Sequence, residues 1–114
     1  HSQFGVISCF SVSKWIHLNY GDEGVQLLFK RIHDYLAPDG IFILEPQPWR
    51  SYRKRRHLTQ RIAEQFRTLK LRPDDFDGEI TALGFALILS CKSVEAKTLG
   101  FRRPIKVFQK MNKS

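Results

Sequence analysis

FGVISCF, at residues 4–10, is a nearly continuous apolar run rich in residues that favour β-strands. A second run of this kind, IFIL, occupies residues 41–44. The apolar residues between the two runs recur at helical spacing, and they are Val25, Leu28, Phe29, Ile32 and Leu36. Unbroken apolar strands joined by a helix are typical of a βαβ unit in a parallel sheet that is covered on both faces.

Turn signals and a further apolar repeat predict the next elements. Residues 21–24 form a turn in which Asp22 is placed to cap the first helix, and residues 37–40 form the turn that ends it. A second helix is expected over residues 57–70. Its inward-facing residues are expected to be Leu58, Ile62, Phe66 and Leu69.

The C-terminal part predicts two strands, at residues 85–91 and 105–108, after an irregular or short helical connection at residues 73–82. The segment 92–103 is too short for a helical crossover, so these strands should pair antiparallel. The order β-α-β-α-β-β with an antiparallel last strand is how class I methyltransferase domains end. We therefore expect an α/β fold in one domain, the C-terminal half of a Rossmann-like class I methyltransferase fold. The apolar run that begins so close to His1 indicates a fragment.

The chain is strongly basic, with 19 Lys and Arg against 11 Asp and Glu and a net charge of +8. This charge favours an anionic partner, either nucleic acid or an acidic membrane surface. Cys9 and Cys91 lie in apolar runs without zinc-ligand spacing, so we expect buried free thiols and a reducing compartment. No apolar stretch approaches the ~20 residues that a membrane-spanning helix needs, and no metal constellation is recognisable.

Polar and aromatic residues follow the first two strands where each strand ends, at residues 10–15 and 45–49. Because ligands of open α/β sheets bind outside the carboxyl ends of the strands, we expect the two segments to form one site. After the first strand, Lys14 could bind a phosphate as a point charge, and His17 or Asn19 could supply hydrogen bonds. The alternative is that the neighbouring apolar residues pack while Lys14 extends to solvent.

The second segment, EPQPW at residues 45–49, holds a carboxylate, an amide and an indole on a backbone that two prolines restrict. A rigid loop of this kind suits substrate positioning by Glu45 and Gln47, and Trp49 could stack on a base. The alternative is a strand end in which Trp49 fills the core, and the sequence favours neither.

A basic cluster comes directly after this loop, and its members are Arg50, Arg53, Lys54, Arg55, Arg56 and His57, with Tyr52 inside the run. Next to a site it could hold a polyanionic chain, whereas a solvated helix start or a nuclear localisation patch would give the same run. Cations oppose the dipole at a helix N-terminus, which favours phosphate contact. Residues 100–104 form a second basic-aromatic element that includes Phe101 and Arg103, and His33 is expected at the surface.

Together these segments resemble the family of the 7SK RNA methylphosphate capping enzyme, the bicoid-interacting protein type of methyltransferase, over residues 5–110. The resemblance rests mainly on KWIHLN at residues 14–19, GDEG at residues 21–24 and EPQPW at residues 45–49. Arg72-Pro73 with Phe76 and the element at residues 100–104 add to it.

The resemblance implies methyl transfer from S-adenosyl-L-methionine to the γ-phosphate at the 5′ end of a small nuclear RNA. It also implies nuclear (or cytoplasmic) location and La-related RNA-binding proteins as partners. Lys14, His17 and Asn19 become candidate catalytic residues, and Phe10 and Ser11 become candidate cofactor contacts. The candidate RNA contacts are Glu45, Gln47, Trp49, Tyr52, Arg53, Lys54, Arg55, Arg56, Phe101 and Arg103.

Other functions stay open. The second branch of the family acts on 5′-monophosphates; Lys14 and residues 100–104 resemble the capping branch, whereas Val12, Ser13 and Tyr20 depart from its usual residues. A non-catalytic RNA-binding or scaffold module is a further alternative. A small-molecule methyltransferase is disfavoured by the basic loops.

We expect the 114 residues alone to bind S-adenosylmethionine poorly, to fold less well than the intact protein and to be inactive as an enzyme. The glycine-rich loop and the acidic strand end that hold most of the cofactor in such enzymes do not occur in this sequence. Isothermal titration calorimetry of the chain with the cofactor measures this directly, and tight binding would contradict the expectation.

Overall fold

The computed structural model describes residues 3–96 and 101–111, and for residues 92–96 and 101–103 it describes the backbone alone. The described residues form four strands and four α-helices. In order they are β1 (Phe4–Phe10), α1 (Val12–Tyr35), β2 (Leu36–Glu45), α2 (Trp49–Arg55), α3 (Gln60–Thr68), α4 (Phe76–Ala82), β3 (Phe85–Ala96) and β4 (Phe101–Lys110). A 3₁₀ turn, Pro73–Asp75, precedes α4, so the predicted short helical connection at residues 73–82 is confirmed.

The four strands form one mixed sheet in the order β1-β2-β4-β3. β1 and β2 are parallel, as the βαβ prediction requires. β4 runs antiparallel to both β2 and β3, which confirms the predicted pairing of the last two strands. The carboxyl ends of β1 and β2 therefore lie side by side, with Phe10 paired to Glu45.

Helices α1 and α4 cover one face of this sheet. The core between them consists of Cys9, Val25, Phe29, Ile32, Leu36, Phe42, Leu44, Phe76, Ile80, Phe85 and Phe108. On the opposite face Val6 and Leu89 are 58% and 52% exposed. Helices α2 and α3 instead pack on the first half of α1, around Leu18, Tyr52 and Ile62. The expectation that both faces of the sheet are covered is therefore wrong for the described residues.

Helix α1 begins at Val12 and is broken within, at the predicted turn. Gly21 has φ 77° and ψ −170°, which separates two helical halves. The segment before the break, for which the sequence predicted no element, is helical. Asp22 does not cap the second half: its carboxylate accepts hydrogen bonds from the backbone N–H groups of Lys70 and Leu71. The polar residue at the break thus ties α1 to the chain after α3.

The second predicted turn lies inside β2. Pairing with β1 shifts between Leu36, opposite Phe4, and Ile41, opposite Val6. Asp39 takes φ 64° in this irregular stretch. The predicted turn is therefore an irregular stretch at the start of β2.

The predicted helix over residues 57–70 is shorter, and a separate helix, α2, precedes it. Leu58 lies between the two and is 59% exposed, so its inward assignment is wrong. Ile62 is buried as predicted, while Phe66 and Leu69 are half-buried beside it. Thr59 caps α3 by accepting a hydrogen bond from the Ile62 backbone N–H. The helix therefore begins at Gln60, three residues after the predicted start at residue 57.

Three smaller expectations also have outcomes. Cys9 is buried as a free thiol, whereas Cys91 is only partly buried. His33 was expected at the surface, but it is half-buried, with its ring edge-on to Phe85 at 5.0 Å between centroids. Within residues 3–96 and 101–111, none of the helices combines the length and apolar character needed to cross a membrane.

We expect Gly21→Ala to lower the free energy of unfolding by about 1–3 kcal/mol, because a non-glycine residue is strained at this positive φ. The new Cβ would also lie 2.7 Å from Oε1 of Gln65. Gly78→Ala is the matched control, since Gly78 lies in α4 with open space around it. It should leave stability unchanged or raise it by up to about 1 kcal/mol. Urea denaturation compares the two, and equal stabilities would contradict the role assigned to Gly21.

Candidate functional site

The carboxyl ends of β1 and β2 carry a small hydrogen-bonded cluster. The Ser11 hydroxyl donates to Oε1 of Glu45 at 3.2 Å. Nε2 of Gln47 donates to the same carboxylate oxygen at 3.2 Å and to Ser11 Oγ at 3.4 Å. Glu45 was expected to contact RNA, but it is 1% exposed and its carboxylate is bonded within the fold, so the structure does not support a direct RNA contact. The structure thus brings together the two segments that the sequence placed at one edge.

Ser11 gives this edge its shape. It takes φ 66°, in the left-handed region, where β1 turns into α1. The ring of Phe10, immediately before it, is 46% exposed. The two residues proposed as cofactor contacts therefore lie at the sheet edge, one with an accessible aromatic surface and the other held by Glu45 and Gln47.

Lys14 lies in the first turn of α1 with only 8% of its surface exposed. Its ammonium donates a hydrogen bond to Ser51 Oγ at 3.0 Å and lies 4.6 Å from the centroid of the Trp15 ring. Burial, with the nearby charge of Arg55, lowers the pKa of Lys14 below its ordinary value. In the described part of the chain, no carboxylate forms an ion pair with this ammonium.

His17 is fully buried between two polar partners. Its Nε2 lies 2.8 Å from Oδ1 of Asp22, and its Nδ1 lies 2.8 Å from the hydroxyl of Tyr52. Burial lowers the pKa of His17 even though Asp22 opposes that shift, so the ring is neutral near pH 7. The network then assigns the tautomer: Nε2–H donates to the carboxylate, and Nδ1 accepts the Tyr52 O–H.

Tyr52 and Asp22 lie at the two ends of this hydrogen-bond network, and each keeps the protonation state that the network requires. Burial, assisted by the charge of Asp22, raises the pKa of Tyr52, which keeps its hydroxyl a donor. Burial alone would raise the pKa of Asp22. The net pKa is lowered, because Asp22 accepts hydrogen bonds from His17 and from the backbone amides of Lys70 and Leu71. Asp22 therefore remains an acceptor for all three.

This burial corrects two assignments made from the sequence. Tyr52 has 0% exposure, so it cannot contact RNA as expected. His17, also at 0%, cannot orient a phosphate directly. Each side chain instead holds the other through the 2.8 Å hydrogen bond between Nδ1 of His17 and the Tyr52 hydroxyl. Asn19 is more accessible. Its side-chain amide donates a hydrogen bond to the Trp15 carbonyl at 2.9 Å, and its backbone carbonyl accepts one from Arg61.

Trp49 is engaged by three side chains. Tyr52 and Phe66 stack on it at centroid distances of 5.2 and 5.1 Å, with interplanar angles of 27° and 20°. The Arg72 guanidinium lies over the ring at 4.5 Å. Of the two alternatives, core filling is what the structure shows, and base stacking by Trp49 is not supported.

Most of the basic cluster lies at the C-terminal end of a helix and not at the N-terminal end as expected, although Arg50 lies in the first turn of α2. Arg53, Lys54 and Arg55 occupy the last turn of α2, and Arg56 follows it. Cations stabilise the C-terminus of a helix through its dipole, so the argument that helix stability cannot explain them was wrong. All four side chains are exposed, as an RNA contact requires.

The positive charge extends beyond the predicted basic cluster. Nine exposed Lys and Arg lie between residues 50 and 72, against one acidic residue, Glu64. The missed members are Arg61, Arg67, Lys70 and Arg72. The rest of the chain carries ten basic and ten acidic residues, so this segment accounts for the whole net charge of +8. A running charge count along the sequence would have found it. The side chains of Phe101 and Arg103 lie outside the described residues.

Residues 4–110 match the protein-family model described as Bicoid-interacting protein 3 (Bin3). The chain belongs to this family. It is 41% identical over 110 residues to the 7SK snRNA methylphosphate capping enzyme of Mus musculus, covering 95% of this chain and 16% of that protein. It is also 41% identical over 110 residues to the U6 snRNA methylphosphate capping enzyme Amus of Drosophila melanogaster, covering 95% of this chain and 37% of that protein.

Another branch of Bin3 relatives matches less of the chain. The Pre-miRNA 5′-monophosphate methyltransferase of Xenopus laevis is 36% identical over 80 residues, covering 64% of this chain and 29% of that protein. This Bin3 chain thus spans roughly a sixth to a third of the length of these relatives.

Solved structures confirm the fold class. The N-methyltransferase NodS of Bradyrhizobium japonicum superposes with a TM-score of 0.64 at 10% identity, over 98% of this chain and 53% of NodS. A SAM-dependent methyltransferase of Methanosarcina mazei gives a TM-score of 0.62 at 15% identity, over 98% of this chain and 61% of that one. The Bin3 chain therefore has the fold of part of a Rossmann-like methyltransferase.

The neutral state of His17 predicts a loss of stability in mild acid. Its folded pKa lies below the unfolded value near 6.5, so the unfolded chain binds more protons once the pH falls below about 6.5. Unfolding free energy measured by urea denaturation from pH 7.5 to 5 should therefore fall. His17→Gln should be less stable throughout with a shallower pH dependence, whereas exposed His57→Gln should keep the wild-type slope. A wild-type slope in His17→Gln would contradict a buried neutral histidine.

Proposed function

We propose that this Bin3 chain forms the phosphate-binding side of an S-adenosylmethionine-dependent methyltransferase. Its substrate is the 5′-terminal γ-phosphate of a small non-coding RNA. Family membership and the methyltransferase fold support the reaction class. The charge concentrated between residues 50 and 72 supports the polyanionic substrate.

The observation that carries the proposal is the environment of the Lys14 ammonium. A nearly buried cation normally pairs with a carboxylate, because an unpaired one loses its hydration without compensation. Lys14 instead has a hydroxyl partner, Ser51, and a cationic neighbour, Arg55. Among the described residues Lys14 donates one hydrogen bond, so it keeps donors for a ligand, and the ligand that restores the charge balance is an anion.

The chain's own residues supply positioning. The nucleophile is a phosphate oxygen that is already anionic, so no general base is needed, and holding it in line with the methyl group accelerates the reaction. Lys14 holds the phosphate, and Ser51 orients the lysine. S-adenosylmethionine, when bound, supplies the methyl group. Phe10 and Ser11 fit an edge of its site, because they offer an exposed ring and a fixed hydroxyl at the carboxyl end of β1.

The relatives support the capping branch over the monophosphate branch. The two snRNA capping enzymes match 95% of the chain, whereas the Xenopus monophosphate enzyme matches 64% of it. We extend the proposal to nuclear location, since the RNAs named for the capping relatives are snRNAs. Binding to La-related proteins stays a prediction from the family resemblance.

A methyl-transfer assay with the intact protein that contains this chain tests the proposal. RNAs carrying a 5′-triphosphate, a 5′-monophosphate and a 5′-hydroxyl are compared with radiolabelled S-adenosylmethionine. We expect label on the triphosphate RNA. Preference for the monophosphate would move the chain to the other branch. RNA binding without any transfer would favour the non-catalytic module and overturn the proposal.

Lys14→Ala in that protein should lower turnover by about 10- to 150-fold, the effect of losing a hydrogen bond from a charged group. Cofactor affinity should stay nearly unchanged, because the lysine holds the phosphate. The matched control is Lys30→Ala, since Lys30 is exposed on the same helix and pairs with Asp34. Steady-state kinetics and calorimetry measure the two effects, and a collapse of cofactor affinity would show that the assignment is wrong.

A further inference from the structure

A groove of about 490 Å³ lies along α1. We call it the α1 groove. Six of its lining residues are Ile16, Tyr20, Glu23, Gly24, Leu27 and Arg31. Tyr20 and Leu27 are 58% and 49% exposed, so the groove presents apolar surface to solvent.

Tyr20 is the aromatic platform of this groove. The Arg61 guanidinium lies over its ring, 4.6 Å from the centroid. Arg61 is itself fixed, because its Nε donates a hydrogen bond to the Asn19 carbonyl at 2.9 Å. An arginine on an aromatic ring beside an open apolar surface is the arrangement that holds a stacked base near its phosphate.

Gly24 keeps the groove open next to this platform. A Cβ added to Gly24 would clash with the Cβ of Tyr20. Glu23, in the same lining, provides a carboxylate acceptor at the groove wall. Such an acceptor suits the exocyclic amino group of cytosine or adenine, which uracil lacks.

Charge indicates which partner occupies the α1 groove. Arg61 belongs to the segment between residues 50 and 72 that carries the whole net charge of the chain. Arg31 adds a cation at the groove itself. An apolar groove bordered by arginines and continuous with a basic surface is complementary to a nucleotide strand.

We propose that the α1 groove binds an unpaired nucleotide of the RNA, with its base on Tyr20 and its phosphates beside Arg61 and Arg31. This inference rests on the proposed RNA substrate and adds a second contact to the one at Lys14. The two contacts lie on one helix, six residues or roughly 9 Å of helical rise apart. The groove would thus hold a nucleotide close to the 5′ end while Lys14 holds the phosphate.

Fluorescence anisotropy of the intact protein that contains this chain, with labelled single-stranded oligo(C) and oligo(U), tests the groove. Tyr20→Ala should weaken oligo(C) binding by about 5- to 150-fold, the effect of losing one stacked base. Tyr20→Phe and Tyr20→Trp should retain binding because they keep the ring. The control is Tyr35→Ala, since Tyr35 is 51% exposed at the far end of the same helix.

Two further variants separate the base contact from the phosphate contact. Glu23→Ala should reduce the preference for oligo(C) over oligo(U). Log affinity falls as log salt concentration rises, and Arg61→Ala should make this dependence shallower by about 0.7. This is the effect of losing one phosphate contact to a single strand. Lys30→Ala should leave this dependence unchanged.

The outcomes distinguish this inference from the proposed function. If the intact wild-type protein binds no RNA, both are overturned. If it binds RNA and Tyr20→Ala binds equally well while Lys14→Ala binds less, the groove serves another partner, such as a protein, and the inference alone is overturned. Ultraviolet crosslinking followed by mass spectrometry gives a check that needs no variant: we expect RNA attached to the peptide that contains Tyr20, and crosslinks confined to other peptides would contradict the inference.

Discussion

Two buried hydrogen bonds, from Tyr52 to His17 and from His17 to Asp22, connect three separate parts of this fold. Tyr52 belongs to α2, His17 to the first half of α1, and Asp22 follows the break in that helix. Asp22 then binds the backbone at residues 70 and 71, where the chain leaves α3. His17 and Tyr52 are fully buried, so losing either partner of this pair would leave the other unsatisfied at a cost of about 1–3 kcal/mol.

The position of Lys14 and Ser51, which we propose bind the phosphate, depends on this network. Ser51, which holds the Lys14 ammonium, is the neighbour of Tyr52 in α2. Lys14 itself lies one turn before His17 in α1. The hydrogen bond between Tyr52 and His17 therefore also holds Ser51, on α2, close to Lys14, on α1. The hydrogen bond between His17 and Tyr52 joins α1 to α2, and the exposed basic residues Arg53, Lys54 and Arg55 follow Tyr52 on α2.

The sequence predicted the elements that local patterns determine. Apolar runs located the strands, and the short connection between the last two predicted their antiparallel pairing. Residues whose partners are distant were assigned less well. Tyr52 lies 35 residues from His17, and neither residue's local sequence shows that it is buried. Trp49 has the composition of a base-stacking residue, but its partners Phe66 and Arg72 come from segments that only the fold brings near. The dipole argument failed because it depended on a helix boundary that was several residues wrong.

The central claim is that the Lys14 ammonium is a site for a terminal RNA phosphate. General attraction between a basic segment and RNA would not discriminate between 5′ ends, whereas a site for the end would. The most direct measurement is the affinity of the chain, and of Lys14→Ala, for two otherwise identical RNAs that carry a 5′-triphosphate or a 5′-hydroxyl. We expect the wild-type chain to prefer the triphosphate RNA and the variant to lose that preference while it still binds RNA. An equal preference in both proteins would contradict the claim.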